Sequence, residues 1–299
     1  MKKVVGVGAC VLDTVICCGE YPAEDVKYKA SEVFSTGGGP VANALVAISR
    51  LGKDAEFIGA LSADENGKRL KREFEDYGVK ASSVKFVENT RAFTSYIVLS
   101  EKSGSRTCVF ERGNVPDDPE NLDFSAIAQA DILHLDGNSL RSAIAAAKYA
   151  KEKGVKVSLD AGGLYEGIEE LLPFVDLLIP SEEFALKCTG KRTAEEAVLE
   201  LQKRYAPEIL VVTQGSKGGV YYEDGEVKTY GSFKVDCVDS NGAGDTFHGA
   251  YLVGYMNGLK GLNCCQFASA VAAVKCTKAG VRKALPTMEE TKAFIKERK

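Results

Sequence analysis

The run Val238-Asp239-Ser240-Asn241-Gly242-Ala243-Gly244-Asp245-Thr246-Phe247-His248-Gly249-Ala250 constrains this chain more than any other. Tyr230 to Val238, just before it, alternates and reads as extended chain. After it, Phe247, Ala250, Tyr251, Val253, Gly254 and Leu259 recur at helical spacing. A loop therefore becomes a helix at this point. Gly242 and Gly244 let backbone N–H groups face outward without Cβ obstruction. Together with the helix dipole, those groups make an anion site. Asp245 falls in the same first turn, so a carboxylate stands beside a place made for negative charge. Phosphoryl transfer needs both, a base for the attacking hydroxyl and donors for the moving group. Taken alone, the pattern is met equally well by an Asp that only caps a helix.

Two earlier stretches bear on that choice. Val4 to Leu12 is an apolar, strand-like run ending at Asp13. Such runs suit central parallel strands, and ligands of open α/β sheets gather at strand carboxyl ends. Asp13 is thus placed to grip a hydroxyl, or to pair with a neighbouring turn. Ser35-Thr36-Gly37-Gly38-Gly39-Pro40-Val41-Ala42-Asn43 then allows close backbone approach to a ligand, puts Pro40 at a first helical position, and sets Asn43 in the opening turn. Gly6-Val7-Gly8 hints at a dinucleotide fingerprint but lacks the third glycine and a following helix.

The remaining pattern describes a doubly wound α/β chain with an outlying sheet. Residues 14–34 alternate weakly, and Ala92–Leu99 with Arg106–Phe110 form a hairpin around Ser103-Gly104-Ser105. These segments, 14–35 and 88–115, form a small β-sheet lid. Residues 1–13, 36–87 and 116–299 form the core. From Ile132 onward strands and helices alternate, which predicts a mostly parallel sheet flanked by helices. Val211-Val212-Thr213-Gln214-Gly215-Ser216-Lys217-Gly218-Gly219 leaves a strand into a Gly-rich turn. It is either a plain hairpin turn or a phosphate cradle using backbone N–H groups, Thr213 and Lys217.

Bulk properties narrow the classes. A net charge of −4 with scattered signs and no basic block argues against nucleic acid and membrane surfaces. No apolar stretch approaches the roughly 20 residues of a membrane span. The nine Cys form no CxxC pair and only two His exist, which disfavours zinc. Cys10, Cys237 and Cys276 lie in apolar runs as reduced thiols, which fits a cytoplasmic protein.

An Asp after the first strand, a Gly-Gly-Gly helix start with Asn43, and a late Gly-Ala-Gly-Asp helix start together resemble the PfkB, or ribokinase-like, family of carbohydrate kinases, over essentially the whole chain. The resemblance implies the ribokinase-like fold, ATP as donor, Mg²⁺, and a small-molecule sugar as acceptor. By motif position it implies Asp245 as catalytic base, with Gly242, Ala243 and Gly244 as the anion hole. Asp13, Gly38, Gly39 and Asn43 would bind the sugar, and Thr213, Gly215 and Gly218 would line the nucleotide site. Some members use a monovalent cation, K⁺, at the position matched by Asp239 and Asn241. Where many members carry Asn-x-x-Glu near the metal, this chain has Ser181-Glu182-Glu183-Phe184. Glu182 or Glu183 would then supply the Mg²⁺ carboxylate through water, and ketohexokinase-like members resemble this variant.

A ketohexose or pentose is the expected acceptor. Lys27, Arg106, Arg112 and Arg141 on the lid and its flanks are either solvated cations or, for Lys27, Arg112 or Arg141, grips for a phosphorylated or sulfonated ketohexose; a nucleoside is a further alternative. A sugar or nucleotide sensor without turnover is a second class. Exposed lid edges invite a homodimer.

Overall fold

A computed structural model describes residues 2–298. In chain order the elements are β1 (Lys3–Val7), β2 (Val11–Cys18), β3 (Glu32–Gly38), α1 (Pro40–Arg50), β4 (Asp54–Phe57), β5 (Gly59–Ser62), α2 (Glu65–Asp76), β6 (Val84–Val87), β7 (Thr94–Ser100), β8 (Arg106–Glu111), β9 (Ile132–Leu135), α3 (Leu140–Glu152), β10 (Lys156–Ala161), β11 (Leu177–Pro180), α4 (Glu182–Thr189), α5 (Ala194–Tyr205), β12 (Ile209–Thr213), β13 (Gly219–Glu223), β14 (Glu226–Tyr230), α6 (Ala243–Met256), α7 (Gly261–Cys276) and α8 (Met288–Glu297).

Eight strands form the central sheet in the order β14-β13-β12-β11-β10-β9-β1-β4. From β12 to β4 every pairing is parallel, and β13 and β14 close one edge antiparallel. Strand side chains alternate faces, so β1 serves two cores. Val4 belongs to the core built with α1, α6 and α7, while Val5 and Val7 belong to the one built with α3 and α5. This is the doubly wound architecture expected. Gly6 and Gly8 belong to its packing: a Cβ at Gly6 would lie 2.6 Å from Val41 Cγ1, and one at Gly8 2.6 Å from the Asp136 carboxylate. Among the described residues no helix is long and apolar enough to cross a membrane.

A separate four-stranded sheet, ordered β3-β2-β7-β8, forms the outlying layer. Here the expected single run from Val4 to Leu12 is corrected. The core strand stops at Val7, the chain bends through Gly8-Ala9-Cys10, and Val11 starts a strand of the other sheet. Both strands are apolar, so hydropathy carries no mark of the change of sheet. The bend is held by Asp136, whose Oδ2 accepts from Ala9 N–H at 2.9 Å and Val41 N–H at 3.2 Å. Asp13 therefore sits in the outlying sheet rather than at the end of a core strand. The stretch Gly231 to Val238, expected as extended chain, joins no sheet and runs as irregular chain ahead of α6.

Candidate active site

Helices α1 and α6 pack closely because Gly249 has no side chain: a Cβ there would lie 2.6 Å from Ala44 O. Their N-termini emerge at the same end of the molecule. Gly39 caps α1 with φ of 100° and Gly242 caps α6 with φ of 72°, conformations open to glycine and strained for other residues. Across this junction Asn43 Nδ2 donates to Asp245 Oδ2 at 2.7 Å. The early triple-glycine turn and the late Gly-Ala-Gly turn thus form one site, although these two side chains stand 202 residues apart in the chain. Ala243 N–H turns back to Ser240 O at 3.2 Å. The other first-turn amides have no partner within the helix. A Cβ at Gly244 would meet nothing within 4 Å, so the backbone there faces open space.

The register of the outlying sheet aligns Thr36, Asp13, Ser95 and Phe110 in one row on the face turned to this cleft. Ser95 Oγ donates to Asp13 Oδ1 at 2.6 Å, and a Cβ at Gly38 would fall 2.0 Å from Asp13 Oδ2. Burial pushes the Asp13 carboxyl up to about 6, against the pull of the Ser95 hydrogen bond and Arg282. Asp245 is also pushed up to about 6, by burial first and by the charge of Asp160 second, while the Asn43 hydrogen bond works the other way. A helix N-terminus alone would hold that carboxylate low; burial outweighs it. On the same sheet face Arg106 Nε donates to Asn241 Oδ1 at 2.8 Å, and Ser240 Oγ donates to Gly104 O at 3.3 Å. The hairpin tip is closed down onto the 238–242 loop.

Several supporting residues are invisible in the sequence motifs. Arg282, fully buried, donates from Nε to Asn43 Oδ1 at 3.2 Å, from Nη1 to Glu73 Oε2 at 3.1 Å and from Nη2 to Gly38 O at 3.4 Å. Glu73 Oε2 also accepts from Gly37 N–H at 2.6 Å. Asp160, at the end of β10, lies 3.2 Å from His248 Nε2. Burial works to raise the Asp160 carboxyl, but the charge and hydrogen bond of His248 prevail and hold it low. A cleft of about 290 Å³ is lined by Asp136, Asp160, Gly244, Asp245 and His248.

Beside it lies a larger cavity of about 640 Å³, lined by Thr213, Gly215, Gly218, Phe233, Val235, Gly244 and Ala272 among others. Its size and apolar walls suit a flat heterocycle, and Gly244 belongs to both spaces. Thr213, Gly215 and Gly218 meet there, whereas Lys217 is exposed on the turn and outside the lining. Cys237, expected among the buried thiols, is exposed on this cavity's wall; all nine Cys are free thiols.

The candidate metal residues divide. Glu182 is half-buried at the start of α4 and accepts from Gln214 Nε2 at 2.7 Å. Glu183 points outward and pairs with Lys187 at 2.6 Å. Among the described residues no group of three or more His, Cys, Asp or Glu could hold a metal ion. A single carboxylate is compatible with an Mg²⁺ held mainly by phosphate oxygens and water, and of the two only Glu182 turns inward. Asp239 and Asn241 do not turn their side chains to one common point. Asn241 faces Arg106, and both Asp239 carboxylate oxygens accept backbone N–H groups, from Asn241 at 2.8 Å and Gly280 at 2.9 Å.

Of the candidate substrate cations, Lys27 lies exposed in the β2–β3 connection, and Arg141 is exposed with Nη1 donating to Asp117 O at 3.0 Å. Neither lines the cavities described. Arg112 does: it stacks over Phe93, Phe110 and Tyr165 on the wall of a third cavity, of about 330 Å³, together with Ser62, Asn138 and Ser139.

Comparison with known proteins bears on the same arrangement. The family model described as pfkB family carbohydrate kinase matches residues 1–288. The chain is 28% identical to the ATP-dependent ribose-1-phosphate kinase of Halopiger xanaduensis, over 100% of this chain and 99% of that one. It is 31% identical to fructokinase-1 of Zea mays, over 89% of this chain and 90% of the relative. The solved structure of Arabidopsis thaliana ribokinase with ribose and ATP superposes with a TM-score of 0.83 at 27% identity, covering 99% of both chains. A match over nearly the full length, on a ribokinase-like fold, makes the assignment: the chain belongs to the pfkB family of carbohydrate kinases.

Proposed function

We propose that this sugar kinase moves the γ-phosphoryl group of ATP to a hydroxyl of a ketohexose or pentose, with Asp245 as general base. The single observation that carries the reading is the 2.7 Å contact between Asn43 and Asp245, which unites the two glycine turns in one cleft. Asp13, Asn43 and the backbone of Gly38 and Gly39 hold the sugar hydroxyls. ATP lies with its base in the cavity lined by Thr213, Gly215 and Gly218 and its terminal phosphate over the amides that open α6. Gly244 lines both spaces, so the donor and acceptor meet at the first turn of that helix. Asp245 takes the hydroxyl proton as the new O–P bond forms. The amides and the dipole of α6 stabilise charge on the transferring oxygens. Glu182 would hold Mg²⁺ through water, and the ion would supply Lewis-acid neutralisation of the phosphates. Arg106 and the closed hairpin shut water out of the cleft.

The test is an ADP-release assay over ribose, fructose, tagatose, phosphorylated and sulfonated hexoses, and nucleosides. Stoichiometric phosphorylation of one of the neutral sugars is expected; no sugar-stimulated turnover of ATP would overturn the proposal. The raised carboxyl of Asp245 also sets a pH dependence. A general base must be ionised, so kcat/KM should be level above pH about 6 and fall at least tenfold per unit well below it. An acid limb near pH 4 would show that the Asp245 carboxyl is not raised in the working enzyme.

Arg112 favours a second reading. Its guanidinium is held on three aromatic rings at a cavity wall, and among the described residues no carboxylate pairs with it. An acceptor that already bears a phosphate or sulfonate would fill that place. In that case Arg112→Ala should raise KM for the anionic acceptor at least tenfold, on the order of one lost charge-assisted contact, and leave KM for ATP unchanged. An equal rise in both constants would dismiss this reading.

A further inference from the structure

We propose that Lys275 is a built-in cation, whose ammonium group takes the place of a bound monovalent ion beneath the 239–244 loop and makes the enzyme independent of K⁺. Lys275 stands in the last turn of α7, and its side chain is wholly removed from solvent. Its Nζ donates to Asp239 O at 2.8 Å and lies 3.9 Å from Asp239 Oδ2. A carbonyl oxygen and a carboxylate turned toward one buried point are the ligand types that a hard cation collects. Here a covalently attached ammonium already sits at that point. Burying a charge this way is strongly unfavourable unless a partner offsets it. Asp239 is that partner, itself almost fully buried.

The pair holds a loop that reaches the reacting groups. Val238 and Asp239 both donate backbone N–H to Cys276 O, the residue after Lys275. Asp239 then accepts from Asn241 N–H and Gly280 N–H. One residue past Asn241, Gly242 caps α6 and starts the turn that carries Gly244 and Asp245. The direction of the α6 amides therefore depends on where Asp239 is held. Lys275 touches neither sugar nor nucleotide in this arrangement, so it is a positioning residue. The inference rests on the reading of that turn as the phosphoryl anion hole.

The experiment compares initial rates at constant ionic strength in K⁺, Na⁺ and tetramethylammonium, for the unaltered enzyme, Lys275→Met and Lys275→Ala. The unaltered enzyme should give the same kcat in all three salts. Lys275→Met, which keeps the stem and removes the charge, should lose kcat by about 10²-fold, the scale of one displaced oxyanion donor, with KM for the sugar little changed. Lys275→Ala opens room for an ion, so K⁺ or ammonium should restore part of its kcat, and no salt should restore the Met variant. A purely structural lysine would show no such rescue. A several-fold K⁺ requirement in the unaltered enzyme overturns the inference whether or not either variant folds. So does a folded Lys275→Met enzyme with undiminished kcat. Absence of any sugar-dependent turnover in the unaltered enzyme would instead fell the kinase reading on which this one stands.

Discussion

Asp245→Asn should lower kcat by about 10³-fold, the contribution of a positioned general base, and at neutral pH it should raise the melting temperature. The first half follows from removing the proton acceptor while leaving the contact from Asn43 Nδ2 to an amide oxygen. The second follows from the raised carboxyl. Its pKa moves from 3.8 to about 6 on folding, so between these values the native state binds more protons than the unfolded chain. Stability is therefore lost as pH rises through that window, and above pH about 6 the full penalty is present. Two units amount to about 3 kcal/mol, and because the Asp245 residue is only half-buried this is reduced to about 1–2 kcal/mol. Asparagine carries no charge, so the variant should gain that amount at pH 7.5 and almost nothing at pH 4. Thermal melts at the two pH values, with steady-state kinetics, check both halves. Undiminished turnover would end the assignment of Asp245 as base. Equal melting temperatures at pH 7.5 would show that the folded protein bears no such strain.

Arg282→Met carries the second large effect. Its guanidinium joins three parts of the proposed sugar side: Asn43 in the first turn of α1, the Gly38 carbonyl, and Glu73 of α2, which in turn holds Gly37 N–H. It also stacks over the Phe74 ring at 5.2 Å. Methionine matches the stem but leaves the Asn43 and Gly38 oxygens without their buried donor, and the half-buried Glu73 carboxylate with only Arg69 at 3.5 Å and Gly37 N–H. Losing these three hydrogen bonds is expected to destabilise by about 3 kcal/mol. The triple-glycine turn should loosen with it, so KM for the sugar should rise more than KM for ATP. Adding Glu73→Gln should recover part of the stability, because the stranded charge disappears. A urea midpoint unchanged in Arg282→Met, or a double variant less stable than the single one by the full sum, would show that the three contacts do not act together.

What could be read from residues alone follows from how far apart the interacting groups lie in the chain. The two glycine turns are contiguous stretches whose spacing states their local geometry, and the alternation after Ile132 announces the parallel sheet. The same is true of Thr213, Gly215 and Gly218, which share one strand end. Arg282 and Lys275 act across the fold, on Asn43 and Asp239, and no local pattern links either to its partner. In the sequence they are one arginine and one lysine among many. Asp13 is legible as a carboxylate that closes an apolar run but not as part of the outlying sheet, since an apolar run has the same appearance in either sheet. The rise in the two carboxyl pKa values is also hidden, because burial is a property of packing rather than of neighbours in sequence.

The seat of Asp13 has a consequence for fidelity. Because β2 belongs to the covering layer, a hydroxyl that binds Asp13 also ties that layer to the body of the molecule, and binding and sealing become a single equilibrium. A sugar analogue lacking the hydroxyl that meets Asp13 would then leave the chamber ajar, and solvent would compete for the phosphoryl group. Such analogues should uncouple nucleotide consumption from product, so the enzyme would reject wrong acceptors by wasting ATP on them rather than by refusing them entry.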